Sequence, residues 1–192
     1  MRIFGAAAAV GALALAAALG TTATAQADRG SGGGGDGGGD GQTIRIEDDC
    51  DPATFNEAVG AGTCVGDGDT LFGDFIEEVT DEGEAGKWRN HPDDTHVDMG
   101  ETVRLSNTGG EFHTFTRVDA FGGGCAPPLN AILGLAPRSD VFCGVAFATT
   151  GVPAGGSATV APSDLHVGDN LFQCMIHPWM QTTVDVRGEH HH

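Results

Sequence analysis

From residue 86 onward the chain is a run of short β-compatible segments separated by turn residues. They are KWRN (87–90), THVDM (95–99), ETVRLSN (101–107), FHTFTRV (112–118), GSATVA (156–161), NLFQCMI (170–176) and TTVDVR (182–187). Gly, Pro, Asn or Asp stands between most of them, and Val103/Leu105 and Val184/Val186 alternate with polar neighbours. Apolar residues at period two place one face of a strand inward, and several short strands with turn signals between them give an all-β sandwich or barrel. The spacing argues for an all-β sandwich or barrel, with a short helical insertion.

Upstream, TIRIE (43–47) reads as a first strand, with Ile44 and Ile46 on one face. Residues 48–85 depart from the β pattern and are expected to be an insertion. It opens with a cysteine-bounded loop (50–64). It continues with DTLFGDFIEEV (69–79), where Leu71, Phe72, Phe75, Ile76 and Val79 fall at helical spacing and Asp69 or Thr70 can cap. PPLNAILGL, within the long 121–143 loop, suits one helical turn. The domain is expected over residues 43–187.

The N-terminus has the grammar of an export signal over residues 1–27: Arg2, an apolar run to Leu19, and Ala25-Gln26-Ala27 as a small-x-small cleavage site. An uncleaved anchor is the rival reading. Residues 28–42 form a Gly-rich flexible linker, whose Gly/Asp pattern lacks the apolar positions of calcium-binding repeats. Residues 188–192 are a His-rich tail. The expected location is secreted or periplasmic, with no stable membrane insertion after cleavage.

Removing residues 1–27 would leave 8 Lys and Arg against 27 Asp and Glu, a formal charge of −19. Such a chain repels phosphate, which excludes nucleic acid as a partner, whereas a basic protein is steered towards it. The same acidity also serves solubility alone. The cysteines are Cys50, Cys64, Cys125, Cys143 and Cys174. In an oxidising compartment four of them can pair, in three ways. The two short-loop pairs, Cys50–Cys64 and Cys125–Cys143, are expected, each stabilising by roughly 3 kcal/mol in the chain-entropy model. That leaves Cys174 as a free thiol that a metal bond would protect.

Cys174 lies in FQCMIHPWM (172–180), with His177 and Met180 at C-x2-H-x2-M spacing and Pro178 shaping the bend. A thiolate and a neutral imidazole are strong copper and zinc ligands. The loop is incomplete alone, and His113, at the entrance of a β segment after a Gly-containing turn, is the candidate second histidine. Two His, one Cys and a weak Met define a mononuclear electron-transfer copper site. Zinc fits the thioether poorly. A binuclear copper centre would need a second loop cysteine, and a multicopper oxidase further His pairs. His91, His96 and His166 are expected on the surface, and Met99 and Met175 as packing residues.

The chain resembles the cupredoxins, the family of plastocyanin, amicyanin and pseudoazurin. The resemblance rests on Pro92, Val97, Gly100, Val103 and Asn107 in a P-x4-V-x2-G-x2-V-x3-N run, on His113 soon after, and on CMIHPWM, whose short loop is most like amicyanin. It covers about residues 86–187. It implies an all-β, Greek-key β-sandwich, one copper ion held by His113, Cys174, His177 and Met180, Cu(I)/Cu(II) cycling, and a monomeric carrier that is not an enzyme. It also implies a surface-reaching His177, with Pro178 and Trp179 beside it, meeting a redox protein partner. Copper holding without a redox circuit is the alternative. Thr114 is a candidate hydrogen-bond donor to the Cys174 sulfur.

Overall fold

The computed structural model describes residues 41–188. The signal segment, nearly all of the Gly-rich linker and the His run of the tail lie outside the described residues. Among the described residues ten strands form two four-stranded sheets and one short pair. In the first sheet β1 (Thr43–Glu47) lies between β2 (Arg89–His91), antiparallel, and β4 (Val103–Asn107), parallel, and β4 pairs in turn with β8 (Ser157–Val160). In the second, β10 (Gln181–Arg187) lies between β3 (Asp94–Asp98), parallel, and β9 (Gly168–Gln173), antiparallel. β6 (Thr116–Val118) closes that sheet on β9. β5 (His113–Thr114) pairs with β7 (Gly151–Val152) apart from both. Successive strands repeatedly cross from one sheet to the other, the connectivity of Greek-key sandwiches.

Period-two alternation fixes which face is inside. Ile44, Ile46, Val103 and Leu105 from one sheet meet Val97, Phe172, Val184 and Val186 from the other in one buried cluster. The run shared by the resemblance has structural tasks. Gly100 takes φ +93°, a left-handed turn that a side chain strains. Buried Asn107 donates its amide to the carbonyls of Glu111 and Val152, and its Oδ1 accepts from Gly109 N, so it pins the turn leading to His113.

The insertion is part of the core. Phe55, Phe75 and Val79 are buried in the same cluster as the sandwich, around Trp88. The Phe75 and Trp88 rings lie 4.6 Å apart and those of Phe55 and Trp88 5.6 Å apart, stacked. Two helices carry these residues. α1 (Pro52–Ala58) starts at Asp51, whose carboxylate accepts from Thr54 N, with proline in its first turn. α2 (Phe72–Glu82) ends on Gly83 in the left-handed conformation.

Several expected boundaries shift. α2 begins at Phe72 rather than at 69, and Thr70 does not cap it. The Thr70 hydroxyl donates to Asp49, and its backbone bridges Cys50. FHTFTRV breaks at Phe115 into β5 and β6. NLFQCMI stops being strand at Gln173, immediately before the cysteine. The 121–143 loop contains α3 (Pro127–Ile132), where one helical turn is expected, and α4 (Cys143–Thr149) follows it. Met99 is not a packing residue: it is 53% exposed, held by backbone pairing to Arg187 with its side chain outward. Met175 packs in a small second cluster with Val118 and Ala146. His91, His96 and His166 are exposed. The disulfides are Cys50–Cys64 and Cys125–Cys143, with Cα atoms 6.1 and 5.8 Å apart, and Cys174 is the free, buried cysteine among the described residues.

Candidate metal centre

The loop between β9 and β10 is closed by its own backbone. Cys174 N donates to Met180 O, and Met180 N donates to His177 O. The bend carried by Pro178 therefore returns the chain on itself within seven residues. It turns Cys174 and His177 towards the first residue of β5, His113. The three side chains are buried, and their donor atoms all lie within 4.8 Å of one another.

The donor triangle is well defined. Cys174 Sγ lies 3.8 Å from His113 Nδ1 and 3.9 Å from His177 Nδ1, and the two Nδ1 atoms are 3.3 Å apart. The point equidistant from the corners of such a triangle is about 2.1 Å from each, within the roughly 2.0–2.3 Å at which imidazole nitrogen and thiolate bind first-row metals. Two nitrogens and a sulfur in a dry cavity fit copper. Met180 is buried in the same core cluster as Cys174.

Each imidazole has a carboxylate near its other nitrogen, hydrogen-bonded at His113 and beyond hydrogen-bond length at His177. His113 Nε2 meets Asp48 Oδ2 at 2.8 Å, and both side chains are fully buried. Asp48 also accepts from the backbone N–H groups of Gly110 and Glu111. His177 Nε2 lies 3.6 Å from Glu111 Oε2, which accepts Trp88 Nε1–H at 2.5 Å. Carboxylates in this position fix the ring orientation and the tautomer that leaves Nδ1 for the metal.

The charges are coupled. Burial pulls the His113 pKa down, but hydrogen bonds with Asp48 and Cys174 outweigh it and raise it to about 10. Burial pushes the Cys174 thiol up, but the two histidines hold it well below the usual thiol range. Burial likewise raises Asp48, and His113 with two backbone donors brings it below the usual carboxylate value. Charge on each of these three groups thus favours charge on the others.

A two-sheet sandwich whose last strand-to-strand loop brings a cysteine and a histidine against a second histidine is the arrangement implied by the resemblance in the sequence.

The fold has partial counterparts among solved structures. A purple cupredoxin from Nitrosopumilus maritimus is similar at 15% identity, over 76% of this chain and 99% of that one, with a TM-score of 0.40. An oxidised plastocyanin from Dryopteris crassirhizoma is similar at 15% identity over the same shares, with a TM-score of 0.37. A single-residue mutant of amicyanin in its Cu(I) form is similar at 17% identity over 52% of this chain and 73% of that one, with a TM-score of 0.33. No family model and no curated protein matches the chain.

Two expectations about this site are corrected. His177 does not reach the surface: it is 3% exposed. Phe75 of α2 stands edge-on to its ring at 6.2 Å, Trp179 lies 5.5 Å away, and Glu111 stands at its outer nitrogen. Among the described residues Thr114 makes no hydrogen bond to the Cys174 sulfur; its hydroxyl accepts Met175 N–H at 2.8 Å and the Thr116 hydroxyl at 3.0 Å. Trp179 is half-buried and donates Nε1–H to Trp88 O.

Sequence reasoning missed Asp48 and Glu111. Asp48 lies 65 residues from His113, in a segment read as decoration. The one available signal was a carboxylate next to a cysteine-closed loop, which has no meaning until that loop is placed.

Proposed function

We propose that the chain is an exported, monomeric, mononuclear copper protein that carries single electrons and performs no catalytic turnover. The observation that carries this reading is the buried His113–Cys174–His177 triangle, whose dimensions match metal–ligand lengths at a common centre. When bound, copper supplies a one-electron Cu(I)/Cu(II) couple. Cys174 offers the thiolate, His113 and His177 the two imidazoles, and Met180 a thioether. Asp48 holds the His113 imidazole by a hydrogen bond, and the Glu111 carboxylate stands 3.6 Å from His177. Because every donor sits in a packed core closed by backbone hydrogen bonds, the side chains have little freedom to rearrange when the charge changes.

The acidic chain favours a basic redox protein as partner. Export rests on the N-terminal segment of the sequence. No helix among the described residues is long and apolar enough to cross a membrane. One observation favours the second reading, copper holding. His177, the expected exit for electrons, is covered.

Addition of Cu(II) to the purified protein separates the two. An intense visible thiolate-to-copper band with reversible voltammetry supports the carrier. Tight Cu(I) binding with no such band overturns it in favour of holding.

A further inference from the structure

With the outer edge of His177 covered, one surface cavity still has this residue in its wall. Its volume is about 620 Å³, and it lies among α1, α2, α3 and the metal-site loop. Phe55, Phe72 and Phe75 form an aromatic side, with Leu129 and Ile176 completing the apolar lining. The polar groups beside them are few, and two of them, His177 and Glu111, belong to the buried centre. A concave, mainly apolar space of several hundred cubic ångströms with a few placed polar groups is the form of a small-molecule site.

Glu111 states what such a molecule must carry. It is more than nine-tenths buried, and its Oε2 is occupied by Trp88 and faces His177. Its Oε1 accepts no hydrogen bond from the described residues and is open to water. A ligand that displaces that water from an apolar wall has to return an N–H or O–H donor. Anions are disfavoured by that carboxylate and by the formal charge of −18. A cation is less suited than a neutral donor, because the Glu111 carboxylate already faces Trp88 N–H and His177.

We propose that this cavity binds a small neutral aromatic alcohol, of the phenol or naphthol class. Its ring lies against the phenylalanines, and its O–H donates to Glu111 beside the ligand His177. The site stands without the copper reading. Its position beside the electron carrier's ligand rests on it.

The test uses 1-naphthol, naphthalene, 1-naphthoate and 1-naphthylmethylammonium as probes of the full chain, metal-free and after copper loading. Binding is followed by calorimetry and by the NMR shifts of the Ile176 methyls. Saturable binding of 1-naphthol to metal-free protein is expected, about tenfold tighter than naphthalene for one hydrogen bond to a charged acceptor. Ala58→Trp, at an exposed position in the cavity wall, should abolish it while the fold is retained by circular dichroism. Equal affinity for naphthalene, tighter binding of the ammonium, or no effect of A58W overturns the proposal. Absence of saturable binding, or dimerisation of the probe-free protein through this face, overturns it as well. Naphthol binding in a protein that takes no copper would sink the carrier and leave the site standing, and the reverse result would do the opposite.

Discussion

His113 Nε2 and Asp48 Oδ2 lie 2.8 Å apart with neither side chain exposed to solvent. Asp48 comes from the insertion and His113 from β5, so a carboxylate outside the expected ligand set governs one of its members. Asp48→Asn keeps the shape and removes the charge. The expected result is a roughly 10–100-fold weaker copper affinity. The reduction potential should rise, because less negative charge favours Cu(I). Competition with a chelator and voltammetry check both, and an unchanged potential would show that Asp48 acts through packing alone.

Cys174→Ser should abolish the visible band of the copper-loaded protein. The thiol is buried but makes no disulfide, so far-UV circular dichroism should be unchanged. A band that survives would remove Cys174 from the ligand set.

The metal-free protein should show a specific pH profile. The His113 pKa is raised from 6.5 to about 10 despite burial, through Asp48 and Cys174. Its stabilising contribution is complete below 6.5 and is lost as pH rises through 10. The Cys174 pKa is lowered from 9.0 despite burial, through the two histidines, so its contribution is complete above 9.0 and is lost as pH falls. The two slopes oppose each other between about 6.5 and 9. Thermal midpoints should therefore be nearly flat over that window and fall beyond it. In Cys174→Ser the thiol contribution is gone, and the decline should begin near pH 6.5. A wild-type midpoint that keeps rising past pH 9 would contradict this assignment of charges.

Phe75 covers His177 from α2. Phe75→Ala should cost about 3–5 kcal/mol in chemical denaturation, as for a large core aromatic. It should also open His177 to water, so that reduction of the copper-loaded protein by ascorbate becomes faster. A destabilised variant with an unchanged rate would mean that Phe75 does not gate access.

Thiol titration of the denatured, unreduced protein should find one group, Cys174, and five after reduction. More than one before reduction would refute the pairing.

The sandwich was legible because its signals are local. Ile44/Ile46, Val103/Leu105 and Val184/Val186 each declare an inner face within five residues. The loop ligands were legible because Cys174, His177 and Met180 share one bend. α1 also had a local signal in Asp51-Pro52, an N-cap followed by proline, hidden by attention to the flanking cysteines. Asp48, Glu111 and the burial of His177 were not legible. Each depends on where the insertion docks, and that follows from long-range packing of Phe55 and Phe75 on Trp88, which no spacing rule encodes.

Residues 48–85 supply the partner of one histidine and the roof of the other. A trimmed version that keeps the strands and the ligand loop would strip the centre of its carboxylate and flood it with solvent. Any chimera meant to transplant this centre has to carry donor loop and insertion as one inheritance unit, however separate they look along the chain.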